Sequence, residues 1–432
     1  MLAIDLQSGP LADVWRGDPC AVLYELAARA PGEAAELRIG DERILLVQDA
    51  EAARHIARAR PENYHKHFGG FAKFFGASRL TSDGEQWERL LKLSQPSIAA
   101  TDPASVVRSA ERHFGAAIDG LLADYGSGPL LVDPYLDKAA AAVIADVTFG
   151  FGADDISPTL IDDFRSILRY SSLVTWNVAG AEVADSPPAR LSAMMAANRL
   201  RSGLDNLLVD SQSSSDVSPL LRILIDTPDD QVDRFAEVCT LLFAGSDTSS
   251  TSIGWAMYLL ANAATLQERL RREIKTGLNS SGLTLEGVFR LEGVAAFQNE
   301  AMRIFPPIPI LSRIAVEADA IGTLRVAAGQ KVLISVIGLH HDPRTFPQPR
   351  RVSLDRFPHG ATPRDPLAHF QPFSTGRRAC GGARIANIEV ATALTLLIGR
   401  LQMQPAGNEP LAFEWLASLR RRGGQRLRLA AA

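Results

Sequence analysis

Apolar positions change their spacing several times along the chain, and each change predicts an element. Ala21 to Arg29 reads as a helix. Leu37-Arg38-Ile39 and Arg43 to Val47 then alternate or run apolar about Gly40-Asp41-Glu42, which predicts two short strands. Asp49 is placed to cap a helix that carries Ala52 to Ala59 and stops before Pro61. Residues 105–150 read as helical, with Leu130 to Asp133 as an extended interruption. Pro158, Pro187-Pro188 and the tract Ser211 to Ser215 break the next stretch into helices joined by loops. The longest helix follows. Thr227 fits its N-cap, Pro228 its first turn and Asp230 the N3 position, and the pattern runs on to Ala261. Such a helix of 34 residues would span roughly 50 Å. Alternating stretches up to Ser335, a turn at His340 to Pro343 and a helix from Ala383 to Val390 complete the order. Leu419 to Leu429 alternates Arg and Leu about Gly423-Gly424 and predicts a hairpin.

Four stretches depart from these patterns. Phe68 to Gly76 holds four phenylalanines among three glycines, which suits neither a regular helix nor a strand, so a greasy loop over the core is expected. In the long helix, Gly245 costs up to about 1 kcal/mol relative to alanine, and Thr248 can bond back to the Ala244 carbonyl and bend the helix. Beside Asp247 this makes a polar notch in an apolar wall, or else a solvent-facing patch. Glu300 and Arg303 share a helix face before Phe305-Pro306-Pro307 ends the helix. Alone, such a pair contributes almost nothing.

The fourth departure, Phe373 to Gly382, carries a cysteine at the end of a doubly basic loop, just before the helix at Ala383. A thiolate there is favoured by the helix dipole and by free backbone N–H groups. Glycines at 376, 381 and 382 allow the backbone to approach something flat and large. The plainer alternative is a buried structural cysteine. Cys20 and Cys239 lie far away, so neither a disulfide framework nor a Cys-x-x-Cys site is legible, and a reducing cytoplasm is the expected setting. Across 432 residues the chain is 46% hydrophobic and 22% charged with a net charge of −4. That charge is too weak to imply nucleic acid or a membrane surface as a general partner, and neither is expected. Without a signal-like N-terminus or an unbroken run of eighteen apolar residues, a soluble protein with no membrane anchor is expected.

Phe373, Gly376, Arg378, Cys380 and Gly382 together resemble the haem-ligand loop of the cytochrome P450 family, in its soluble, bacterial-type form. The resemblance implies haem b with Cys380 as the axial ligand of its iron, Arg378 beside a propionate, Phe373 packed near the sulfur, and Gly382 against the cofactor. Ala244-Gly245-Ser246-Asp247-Thr248 resembles the family's oxygen-binding signature, which implies that Ala244 contacts the cofactor and that Asp247 and Thr248 are the catalytic proton relay. Glu300 and Arg303 resemble its Glu-x-x-Arg helix, completed by Arg356 as structural support behind the haem. Arg313 matches a propionate-binding arginine; read alone, it is an exposed charge at a strand start. Trp87 matches the family's propionate tryptophan, but the expected arginine four residues on is Leu91, which leaves Arg313 and Arg378 to hold the propionates with Trp87 and Lys92 assisting; Arg89, two residues after Trp87, is expected to matter less than Arg313.

The fold implied is mainly α with a small β-rich lobe (about 35–48, 311–336 and 405–430) in one domain over 1–432, roofed by a mobile region at about 155–230. The substrate pocket would be lined by Phe71, Phe74, Leu241, Ala244, Ile308, Ile310, Leu311 and Trp415, with Phe68 to Gly76 closing over it. The function implied is insertion of one oxygen atom of O2 into a lipophilic small molecule, in secondary metabolism or catabolism. Electrons would come from a separate ferredoxin or flavodoxin with its reductase, because the chain holds no cysteine cluster and no length for a flavin domain. Arg377, Arg384 and Arg350 or Arg351 would form its docking patch. The alternatives are a peroxide-driven or non-oxygenating haem enzyme, and a haem-binding sensor without turnover; neither needs the Asp247-Thr248 pair.

Overall fold

The computed structural model describes residues 2–6, 10–39, 41–126, 128–152, 155, 157, 159–176, 187–212, 217–278, 282–358 and 369–432. The β-rich lobe is built on the two strands expected early in the chain. Ala35–Ile39 and Glu42–Val47 pair antiparallel across their tight turn. Leu2–Asp5 adds in parallel on one side, and Lys331–Ser335 in parallel on the other. Ile310–Ala315 and then Tyr64–Lys66 complete a six-stranded sheet. Alternation along the strands sends Leu45, Val47, Val332 and Ile334 into one core cluster, and Ile44, Leu46, Ile310 and Leu333 into another. Both faces of the sheet are therefore covered.

The rest is helical. The central helix, Arg234–Ala261, lies against the helices Asp133–Phe149, Glu292–Ile304 and Ala383–Arg400, the last being the cysteine helix. It starts later than its sequence suggests. Asp233, not Thr227, is the cap, accepting from the Ala236 N–H at 2.9 Å. Thr227 instead ends the preceding helix, Pro219–Asp226, where its hydroxyl bonds back to the Ile223 carbonyl. Gly245 also has a packing reason: a Cβ there would come within 2.4 Å of the Ile144 side chain. The glycine lets two helices meet closely. At the far end Trp255 stacks on Phe305, ring centroids 4.1 Å apart.

Two expectations are corrected. Gly69–Phe75 is a helix, ended by Gly76 in the left-handed region at φ 75°. Phe75 stacks on Phe243 of the central helix, so the aromatic spacing follows a helical face after all. The C-terminal strands exist but are not each other's partners. Leu419–Arg421 pairs with Phe413–Trp415, while Arg426–Ala431 pairs with Leu401–Pro405 and with Leu130–Leu131. Gly423 and Gly424, both at positive φ, carry the chain from one small sheet to the other. The roof region contains the helices Leu160–Trp176, Pro187–Gln212 and Pro219–Asp226. Its residues 177–186 and 213–216 and Pro158 lie outside the described residues. Among the described residues no helix is long and apolar enough to cross a membrane.

Candidate active site around Cys380

Cys20 and Cys239 are fully buried, and Cys380 is exposed. Burial pushes the thiols of Cys20 and Cys239 well up, which keeps them protonated and inert. Cys380 is reachable yet closely surrounded. Desolvation raises its thiol pKa, while the Gly382 N–H and the nearby Arg79 pull it down. Its own N–H donates to the Phe373 carbonyl at 2.9 Å, closing the loop. Phe373 itself is half-buried. Ser374 is held at φ 59°, a conformation that costs a non-glycine residue of order 1–3 kcal/mol and clusters at functional sites.

The three loop glycines serve different ends. Gly376 sits at φ 75°, and a Cβ there would lie 2.0 Å from the Ala57 carbonyl oxygen. Gly381 is packed under Gln95 and Arg79. A Cβ on Gly382 would meet no heavy atom within 4 Å. Protein packing thus explains the first two, and the third leaves room beside the sulfur.

Next to the loop is a concentration of positive charge. Lys66 and Arg313 are direct cross-strand partners, so both side chains leave the sheet on one face. Like charges so placed are destabilising unless an anion joins them. Arg313 is buried rather than exposed. Burial and then Arg378 lower its pKa to about 10, and the same two causes take Lys66 to about 7. Arg378 lies 4.4 Å over the ring of Trp87, which is itself buried, and pairs with Asp83 at 2.6 Å. Its Nη1 is buried without a partner among the described residues. Among the described residues Arg378 has an ion pair, to Asp83, and Lys66 and Arg313 have none, an arrangement that suits a ligand bringing carboxylates. Lys66 is the residue the sequence did not reveal. Lys92, expected to assist, is exposed, as is Arg89. These residues fit a haem: Cys380 would hold its iron, Gly382 would leave room for the ring, and Lys66, Arg313, Arg378 and Trp87 would face its propionates. We therefore expect Lys66→Ala or Arg313→Ala to weaken haem retention roughly tenfold to a hundredfold, the scale of one lost charge-assisted hydrogen bond. Arg89→Ala should leave it unchanged. Haem transfer to apomyoglobin measures this, and the reverse order would refute the assignment.

On the central helix, Thr248 Oγ1 donates to the Ala244 carbonyl at 2.8 Å, the back-bond expected. Asp247 is not free. One carboxylate oxygen accepts from Arg420 at 2.6 Å, and the other is buried without a hydrogen bond among the described residues. Glu300, Arg303 and Arg356 converge as expected. Glu300 and Arg303 are fully buried and joined at 2.5 Å, and Arg356 lies 3.5 Å from the second Glu300 oxygen. The Ser353 N–H and the carbonyls of His340 and Pro349 complete the knot.

The expected pocket residues divide. Phe71 is buried, and Phe74 and Leu241 are half-buried, in one cluster beside the central helix. Ile308 and Leu311 are half-buried as well. Ile310 points the other way, into a core cluster with Tyr24, Trp255 and Phe305, because strand alternation sets it opposite Leu311. Trp415 is half-buried against that same cluster.

Comparison with known proteins bears on the family and the fold. A sequence profile described as cytochrome P450 matches residues 9–427. Lutein deficient 5, a chloroplastic protein of Arabidopsis thaliana, is 23% identical over 90% of this chain and 70% of its own length. Human cytochrome P450 4V2 is 32% identical over 41% of this chain, a match spanning only 35% of that protein. The fold superposes on the heme domain of a mutant cytochrome P450DA with a TM-score of 0.83 at 18% identity, covering 100% of this chain and 98% of that one. With a match over nearly its whole length and a mainly helical fold carrying small sheets, the chain belongs to the cytochrome P450 family, whose members are haem-thiolate proteins.

Proposed function

We propose that this protein is a haem-dependent monooxygenase that hydroxylates or epoxidises a lipophilic small molecule in secondary metabolism or catabolism, as a single haem domain over 1–432. The observation that carries the reading is the accessible Cys380, which accepts an N–H from Gly382 at the mouth of a strained loop. When bound there, a haem thiolate favours cleavage of the oxygen–oxygen bond. The residues of the chain do the rest. Lys66, Arg313 and Arg378 orient the cofactor, apolar side chains such as Phe71 and Leu241 exclude water, and Asp247 and Thr248 move protons.

Lipophilic character follows from the aromatic side chains beside the central helix. Electrons would come from a separate ferredoxin or flavodoxin with its reductase. Arg58, Arg377 and Arg384 are exposed around the cysteine loop and would steer an acidic partner. The first of these donates to Thr375, the second pairs with Glu88, and the third holds the carbonyls of Ala99 and Thr101, so each is fixed in place. Arg350 and Arg351 are exposed as well. Buried free thiols at Cys20 and Cys239 fit a reducing, cytoplasmic setting.

Thr248→Ala tests the proton role. Product formation should fall by on the order of 10²-fold, the scale of one positioned proton donor, while NADPH consumption continues and ends in peroxide or water. Substrate affinity should stay near that of the parent. Unchanged product per NADPH would leave Thr248 as a helix hydroxyl only, and would favour an enzyme that does not activate dioxygen.

A further inference from the structure

Arg420 belongs to none of the resembled motifs, yet it is the hub of a buried ionic group beside Asp247. It lies on the short strand Leu419–Arg421 and is 9% exposed. Its Nη2 reaches Asp247 at 2.6 Å, Asp137 at 3.0 Å and Ser250 Oγ at 3.1 Å. Nη1 lies 3.7 Å from Asp133. Burial opposes its charge, but Asp137 and Asp247 outweigh that and push its pKa up. Asp137 is held in turn by Arg165 of the roof helix Leu160–Trp176, whose side chain is 31% exposed. Three elements distant in sequence therefore meet at one guanidinium.

We infer that Arg420 is the positioning residue of Asp247: it holds one carboxylate oxygen and leaves the other as the only oxygen that can hand on a proton. An arginine cannot pass the proton itself, since it stays charged throughout. It fixes which oxygen of Asp247 does so, and Asp137 and Ser250 fix Arg420. In each cycle the unbound oxygen of the Asp247 carboxylate takes a proton from solvent and passes it on, which restores the carboxylate, while the hydrogen bond from Arg420 to the other oxygen is kept throughout. The inference rests on the monooxygenase reading, because only proton delivery makes the orientation of Asp247 matter.

The test is a mutant cycle in the haem-loaded protein, using 7-ethoxycoumarin as lipophilic probe with a surrogate ferredoxin and its reductase. Product per NADPH is measured for the parent, Asp247→Asn, Arg420→Met and the double variant. If Arg420 acts through Asp247, the two single variants lose coupling to a similar extent, and the double variant is no worse than Asp247→Asn. Additive losses would overturn the inference. Arg420→Met leaves three buried carboxylates short of a cation and so risks poor folding. Asp137→Asn avoids this by removing one anchor and keeping the Arg420–Asp247 pair. It should lower coupling in the parent background and have no effect on top of Asp247→Asn; equal effects in both backgrounds would also overturn the inference. Thermal melts give a readout independent of turnover. Asp247→Asn should lower the Tm of the parent but raise that of Arg420→Met, where the carboxylate is otherwise unpaired; a lowering in both would show that the two residues are not coupled. If the parent forms no product, the monooxygenase reading fails and takes this inference with it. If the parent forms product and Arg420→Met matches it, only the inference fails.

Discussion

Cys380→Ser is expected to abolish product formation while leaving a folded chain. The substitution removes one sulfur from an exposed position, so little packing is lost and the Phe373–Cys380 backbone bond survives. What disappears is the soft anionic ligand. A serine hydroxyl stays protonated near neutral pH and is a poor donor to iron, so the electron donation that favours oxygen–oxygen cleavage is gone. Cys20→Ser and Cys239→Ser serve as controls. Both side chains sit in the core with no access to a ligand, and their replacement should change stability without changing turnover per bound haem. Residual product in Cys380→Ser, per haem and at the parent rate, would remove the thiolate from the account.

The second large effect is on the fold behind the site. Glu300→Ala should destabilise the protein by roughly 3–5 kcal/mol, the scale for removing one member of a buried ion pair. Three groups lose their acceptor at once: Arg303 with no exposure, Arg356, and the Ser353 N–H. Water cannot replace it, because both charged side chains of the central pair are sealed. Glu286→Ala is the matched control. It removes the same kind of carboxylate from Arg290 one turn away, but both side chains are largely exposed, and surface pairs contribute little. The midpoint of denaturant unfolding reads both. Equal small shifts for the two variants would mean that the buried triad is dispensable.

The two kinds of residue in this account differ in how legible they were. Cys380, Arg378, Thr248, Glu300 and Arg303 lie in local patterns, so each could be placed before any pairing was known. Lys66 and Arg420 could not. Lys66 matters because Tyr64–Lys66 lies beside Ile310–Ala315, a pairing across some 250 residues of chain that no local period reports. Arg420 looked like one more charge on an alternating hairpin. It becomes special only because Leu419–Arg421 pairs with Phe413–Trp415 instead, which turns its guanidinium toward the central helix. The helix Gly69–Phe75 was hidden by the glycines that begin it, whose low helix propensity outweighed the spacing of Phe71 and Phe75. Thr227 and Asp233 are both good caps. Tertiary context, the docking of Pro219–Asp226, decided between them.

Ligation of a haem by Cys380 is most directly tested by the absorption spectrum of the reduced, carbon-monoxide-treated protein. The expected result is a strongly red-shifted Soret band in the parent, in Cys20→Ser and in Cys239→Ser, and none in Cys380→Ser. An unshifted band in the parent, or a shifted band that survives in Cys380→Ser, would contradict it.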